Sequence, residues 1–279
     1  MSTTKIFIIF GVCVAIVTAP LIITYVWFPI ILGRYISIVE NIIAGLIGAY
    51  LVALALDFTL RHRQEKAAEK VARVGLSEAS QTINAMIALF ASMVKASSEG
   101  FTPSTMEDLF GSKAAELISL HLALGSRAPV TSSITWQEHI SRETHSLLDK
   151  LTNIQGRYQA FFSERALAAI AALRNNPLLN ALQQIAQAAQ FDAQMNIQRP
   201  VLNIPLDNLK PFMNDILISI KQVEHYAEEL KTDVVPHFPQ RTFDDDVSPK
   251  FGDARYDGPL GPSFSIGKEL PRISPPPVS

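Results

Sequence analysis

Two long apolar runs fill the first sixty residues, and they restrict the chain's fold more than any other feature. Ile6 to Phe28 reads IFIIFGVCVAIVTAPLIITYVWF, and Ile36 to Phe58 reads ISIVENIIAGLIGAYLVALALDF. A helix that crosses a bilayer needs about 20 apolar residues. The pair therefore predicts a transmembrane hairpin over residues 1–60, with spans at 6–28 and 36–58. A cleaved signal peptide is the competing reading of the first run, with Val17-Thr18-Ala19 as its cleavage sequence. Pro20 directly after the cut and the extension of the run to Phe28 both argue for an uncut anchor.

Charge sets the expected orientation. Arg61, His62, Arg63, Lys66, Lys70 and Arg73 follow the second run, whereas the intervening turn carries only Arg34. The positive-inside rule then places everything after the second span in the cytoplasm. Two spans return the N-terminus, with Lys5, to the same side. The expected location is a plasma membrane, the inner membrane if the cell is bacterial, with a multi-pass chain. Tyr25, Trp27, Phe28 and Tyr35 mark the outer interface, where aromatic rings settle among headgroups. The turn from Pro29 to Arg34 is too short to form an outer domain.

Small residues recur at four-residue steps in both runs: Gly11, Ala15 and Ala19 in the first, and Gly45, Ala49 and Ala53 in the second, beside Ala44 and Gly48. Small side chains let helix backbones approach closely, and close packing drives helix association in lipid. Either the two helices pack on each other within one hairpin, or the richer second stripe also builds a homo-oligomer. Glu40 and Asn41 are polar residues about one turn inside the second span. An ionisable group in lipid is a functional candidate; the plainer alternative is that Glu40 snorkels to the interface towards Arg34. Arg61, Arg63, Lys66 and Lys70 are candidates for contact with anionic lipid headgroups, although setting the topology alone would account for them.

Residues 61–231 are expected to form an all-α cytoplasmic domain, a bundle of four or five helices. No proline interrupts Leu60 to Glu99, so the second span is expected to run on as a helix, with Ile83, Ile87, Phe90 and Val94 as its apolar stripe. A helix is expected over about Ser104–Leu124. Thr135-Trp136-Gln137-Glu138 reads as a capping box, opening a helix to about Asn175. An Ala/Gln-rich helix follows to about Gln190. Asn196 to Pro205 reads as a crossing loop, with Asp207 or Asn208 capping the last helix. Residues 232–279 hold nine of the 17 prolines and few aliphatics; this composition predicts a disordered tail. Asp244-Asp245-Asp246 lacks the spacing of a calcium loop, and Pro275-Pro276-Pro277 has polyproline II character.

Signals for chemistry are sparse. The net charge of -2 and the lack of a basic, aromatic-interleaved stripe give no indication of a nucleic-acid partner. Cys13, the single cysteine, lies in the first apolar run, which removes thiolate catalysis and Cys-based metal cages from the domain. There is no GxxxxGK[ST] phosphate loop, no GxSxG elbow and no HExxH metal motif. His139 with Glu143 and His225 with Glu229 share helix faces at i, i+4, a pattern common on solvated surfaces. No cofactor is expected. The sequence thus points to a non-enzymatic interaction or scaffold module held at the lipid bilayer, binding an unknown cytoplasmic protein. An oligomeric membrane effector or small channel is the alternative, and a metal-dependent enzyme using the His/Glu faces is a distant third.

Overall fold

The computed structural model describes residues 11–12, 15–16, 18–20, 22–23, 26, 36–98, 100–130, 133–197, 199–243 and 254–258. Cys13, Tyr25, Trp27, Phe28, the 29–34 turn, Tyr35, Asp244–Asp246 and Pro275–Pro277 lie outside the described residues, as does the side chain of Glu40. The described residues are mainly helical and contain no strand. Two isolated antiparallel bridges join Leu122 to Arg255 and Arg127 to Thr135. The chain divides into two compact units, Met1–Ala68 and Glu69–Ser279.

The first unit contains helical residues between Gly11 and Val26 and the start of α1 (Ile36–Ser97). α1 is the described helix long and apolar enough to cross a membrane, with a mean hydropathy of 1.5 in its apolar window. Leu46, Tyr50, Ala53 and Asp57 are half-buried along one face of it. These positions step by four, three and four, a heptad spacing that keeps one side of a helix turned the same way. Tyr50 meets the first segment: a Cβ added at Gly11 would lie 3.0 Å from the Tyr50 hydroxyl. Thr18, seven residues after Gly11, is also buried.

The small-residue stripes do not follow these faces. Ala15 and Ala19 are exposed, as are Ala44, Gly45, Gly48 and Ala49, and Ala53 alone of the second stripe is half-buried. Steps of four advance about 40° around a helix, so Gly11, Ala15 and Ala19 spread across some 80° instead of lining one seam. The seam uses seven-residue returns, which is why Thr18 replaces Ala19.

In the second unit, α1 contributes the stripe Ala72, Leu76, Ala79, Ile83, Met86, Ile87, Phe90 and Val94, all buried. Gly100, at φ +76°, ends the run in a left-handed turn that favours glycine. The helix expected over 104–124 is two helices, α2 (Met106–Leu109) and α3 (Ser112–Leu120). Gly111 separates them, pressed so close to the Glu107 carbonyl that a Cβ would come within 2.7 Å. Phe90 and Phe110 join α1 to this corner with ring centroids 5.2 Å apart.

The capping box opens α4 (Trp136–Tyr158) as expected: Thr135 Oγ1 accepts from the Glu138 amide, and the Glu138 carboxylate accepts from the Thr135 amide at 2.9 Å. α4 stops sooner than expected. The chain turns at residues 159–163 and restarts as α5 (Glu164–Arg174), where the Ser163 hydroxyl accepts from the Ala166 amide. Asn176 caps α6 (Pro177–Gln183), with Pro177 in the first helical position, where its missing amide costs nothing. α7 (Ile185–Gln194) follows, and the crossing loop leads to α8 (Leu206–Glu229). Neither Asp207 nor Asn208 caps α8. The helix begins at Leu206, behind Pro205, and Asp207 sits in its first turn, where a carboxylate offsets the helix dipole. α8 packs mainly on α5, and also on α3 and α6; α4 packs on α5, α6 and α7.

The disordered-tail expectation fails for part of the tail. α8 ends with Lys231 at φ +51°, and Thr232 N–H returns to the Ala227 carbonyl at 3.0 Å. Beyond this turn, Val234 to Phe243 lies on the second unit and ends in the short helix α9 (Gln240–Phe243). Ala254 is buried, and backbone bonds tie Ala123 N to Ala254 O at 2.7 Å and Tyr256 N to His121 O at 2.7 Å. The prolines and polar residues that dominate the average composition conceal a short apolar front: Val234, Val235, Pro236, Phe238 and Phe243. Side chains of α1 bond three of its backbone groups, at Val235, His237 and Thr242.

Candidate functional site

Two surfaces carry the residues singled out above. One is the apolar part of the first unit with the charged turns that begin at Arg61. Val52, Leu56, Phe58 and Leu60 are 56–74% exposed, so this part of α1 presents an apolar surface. Arg61 follows and pairs with Asp57 at 2.8 Å. Arg63, Lys66 and Lys70 are exposed. Asn41 is exposed near the start of α1.

The second surface belongs to the helical domain. His139–Glu143 on α4 and His225–Glu229 on α8 both form as i, i+4 pairs, at 3.9 and 3.2 Å. They do not converge. Among the described residues no three His, Cys, Asp or Glu side chains are placed to hold one metal ion. A groove of about 510 Å³ beside α4 is lined by Glu138, Ser141, Arg142, His145 and Gln183, among others. His145 is engaged on both ring nitrogens, by Gln183 at 2.6 Å and by Asp149 at 3.3 Å. Ser141 donates to the Gln183 carbonyl at 2.5 Å, not to the imidazole. The arrangement orients a histidine without activating a nucleophile.

Lys221 on α8 bonds Glu107 on α2 and holds that carboxyl below its usual pKa. Burial, then the neighbouring Glu228, pushes Glu224 in the opposite direction. The Lys221–Glu107 pair links α2 to α8 on an exposed face.

His139 behaves differently. Only 13% of its side chain is exposed, its ring lies edge-on to Trp136, and Nδ1 is buried without a hydrogen-bond partner. The 3.9 Å to Glu143 is too long for a hydrogen bond. Burial lowers its pKa below the ordinary 6.5; Glu143 opposes this and Arg142 adds to it. The folded state therefore disfavours the charged ring. Stability is full above pH 6.5 and falls as the pH drops from there towards the lowered folded value. Urea melts from pH 8 to 5 are expected to show an acid-side loss in the wild type that is smaller in His139→Gln. Equal slopes for the two proteins would rule out this histidine as the source.

One contact was not foreseen. Asn84, in a gap of the α1 stripe, donates from Nδ2 to the Val235 carbonyl at 3.2 Å and accepts the His237 amide on Oδ1 at 2.9 Å. Lys95 Nζ donates to the Thr242 carbonyl at 2.9 Å. A polar residue within an apolar stripe was the available signal, but nothing in the sequence indicated its partner some 150 residues on. Compared with known proteins, the chain matches no family model, no curated protein and no solved structure.

Proposed function

We propose that the chain is a membrane-tethered helical interaction module without enzymatic activity. Its two apolar segments form the tether, and its N-terminus and helical domain face the cytoplasm. The observation that carries this reading is the exposed apolar surface of α1 through Leu60, followed directly by exposed Arg63, Lys66 and Lys70. A soluble protein rarely leaves so much contiguous apolar surface to water, and the basic residues sit where anionic headgroups would attract them. The approach of Gly11 to Tyr50 supports a hairpin. The partner of the domain is a cytoplasmic protein.

The second reading, an oligomeric membrane effector or small channel, draws on the exposure of Ala44, Gly45, Gly48 and Ala49. A Cβ at Gly45 or Gly48 meets nothing within 4 Å among the described residues. That open small-residue face is where a second copy would pack.

One experiment separates the two. Wild type and Gly45→Leu/Ala49→Leu are reconstituted into liposomes, with ion flux and crosslinked size as readouts. A tether gives no flux and the same monomeric size for both, because the substituted face is open. Flux and higher-order crosslinks in the wild type, both lost in the variant, would replace the tether with the channel. A reporter fused after Ser279 tests the orientation; activity on the outer side would overturn it.

A further inference from the structure

The segment Val234–Phe243 is held in the manner of a bound peptide. Asn84 spans residues 235 and 237 with one donor and one acceptor, the same two backbone groups that an edge strand offers a neighbour. This fork reads extended backbone and is indifferent to the side chains it passes. Pro236, between the two bonds, has no amide to leave unsatisfied, and it is buried. Phe238 and Phe243 stack with centroids 5.9 Å apart and lie half-buried on the core. His237 and Gln240 point to solvent. Lys95 then meets the carbonyl end of α9, where a cation is favoured. Backbone fork, buried proline, aromatic pair and terminal cation together make a recognition site.

The two docked parts of the tail differ in kind. Ala254 is in the core, and backbone-to-backbone bonds hold its stretch. Segment 234–243 is instead bonded to α1 through side chains, twice by Asn84 and once by Lys95. Its phenylalanines are only partly covered. Opening this stretch would leave the later anchor in place.

We propose that the face of α1 bearing Asn84 and Lys95 is a peptide-binding seat for an extended, proline-containing segment with an aromatic residue two positions after the proline. The chain's own 234–243 fills it in cis, so the strap is an autoinhibitory ligand. The proposal rests on the reading of the helical domain as an interaction module and gives that module a partner class. A cis ligand on a short connection acts at an effective concentration of about millimolar. A free peptide of equal chemistry therefore stays outcompeted until the strap is weakened or displaced.

The test uses the full chain in lipid nanodiscs and a fluorescent peptide spanning Thr232–Phe243. Pro236→Gly/Phe238→Ser weakens the strap and leaves the seat intact. That variant is expected to bind the peptide at least about tenfold more tightly than wild type, since the cis competitor is impaired. Adding Asn84→Ala is expected to take back about tenfold by removing both fork bonds. Saturable binding that ignores Asn84→Ala, or no binding by a strap variant of wild-type helix content, overturns the proposal. If the strap variant loses helix content, the wild type decides the matter. Excess peptide is expected to speed hydrogen exchange at the His237 amide, and no change at saturating peptide overturns the seat. Liposome flux and reporter topology do not depend on this result, so failure here is distinguishable from failure of the tether.

Discussion

Gly75→Leu is expected to destabilise the helical domain by about 3 kcal/mol, at the upper end of what overpacking a filled interior costs. Gly75 lies on α1 directly beneath the end of α4. A single Cβ there would fall 2.6 Å from the Tyr158 ring and 2.7 Å from the Phe162 ring. Those rings stack with centroids 5.7 Å apart, and the Tyr158 hydroxyl donates to Glu78 at 2.9 Å, so neither can swing away without breaking another contact. Glycine inside a helix normally costs about 1 kcal/mol relative to alanine. Gly75→Ala recovers that propensity but meets the same rings, so its net loss is expected to be smaller than that of leucine. Gly75→Ala/Phe162→Leu is expected to restore part of the loss by clearing one ring. Chemical denaturation of the three variants gives the order, and a leucine variant as stable as wild type would show that the corner yields freely.

The second large effect is expected at the ion pair between α7 and the crossing loop. Arg199 donates to Asp192 from two nitrogens, at 2.6 and 3.1 Å, and only 6% of the Asp192 side chain is exposed. Removing the guanidinium strands a buried carboxylate. Losing one partner of such a pair costs about 3–5 kcal/mol, and Arg199→Met is expected at the lower end because Arg199 retains 18% exposure. Asp192→Leu/Arg199→Met is expected to recover much of the loss, since an apolar pair leaves no charge uncompensated. Additive destabilisation in the double variant would show that the two charges act independently. The loop they hold also rests on Asn203 N–H to Ser119 O at 2.8 Å, so its C-terminal half is expected to keep its exchange protection in Arg199→Met.

The features legible in the sequence are those whose causes are local. The Thr135/Glu138 box requires only four consecutive residues. The apolar stripe of α1 needs only its period, and Asn196–Pro205 is a loop because its prolines say so. The α4–α5 break was hidden because Phe161 and Phe162 continue an apolar pattern past the turn. What ends α4 is the Ser163 cap together with the space above Gly75, some 85 positions earlier in the chain. Most of the four-residue stripes lie on exposed faces, whereas Leu46, Tyr50, Ala53 and Asp57 line the half-buried face of α1. On the candidate surfaces, the apolar face and basic turns were evident from composition. The Asn84 seat was not, because an asparagine fork has no sequence signature apart from the peptide it holds.

The separation between Asn84 and its partners has a consequence in time. The seat is synthesised long before the strap, since Val235 comes 151 positions after Asn84. At about 5–20 residues per second, translation takes roughly 8–30 seconds to deliver the segment that closes it. Throughout that interval the Asn84 amide lacks the Val235 and His237 backbone groups that it bonds in the finished chain. The newborn protein thus passes through an uncovered state on every round of synthesis, before its own strap has been made.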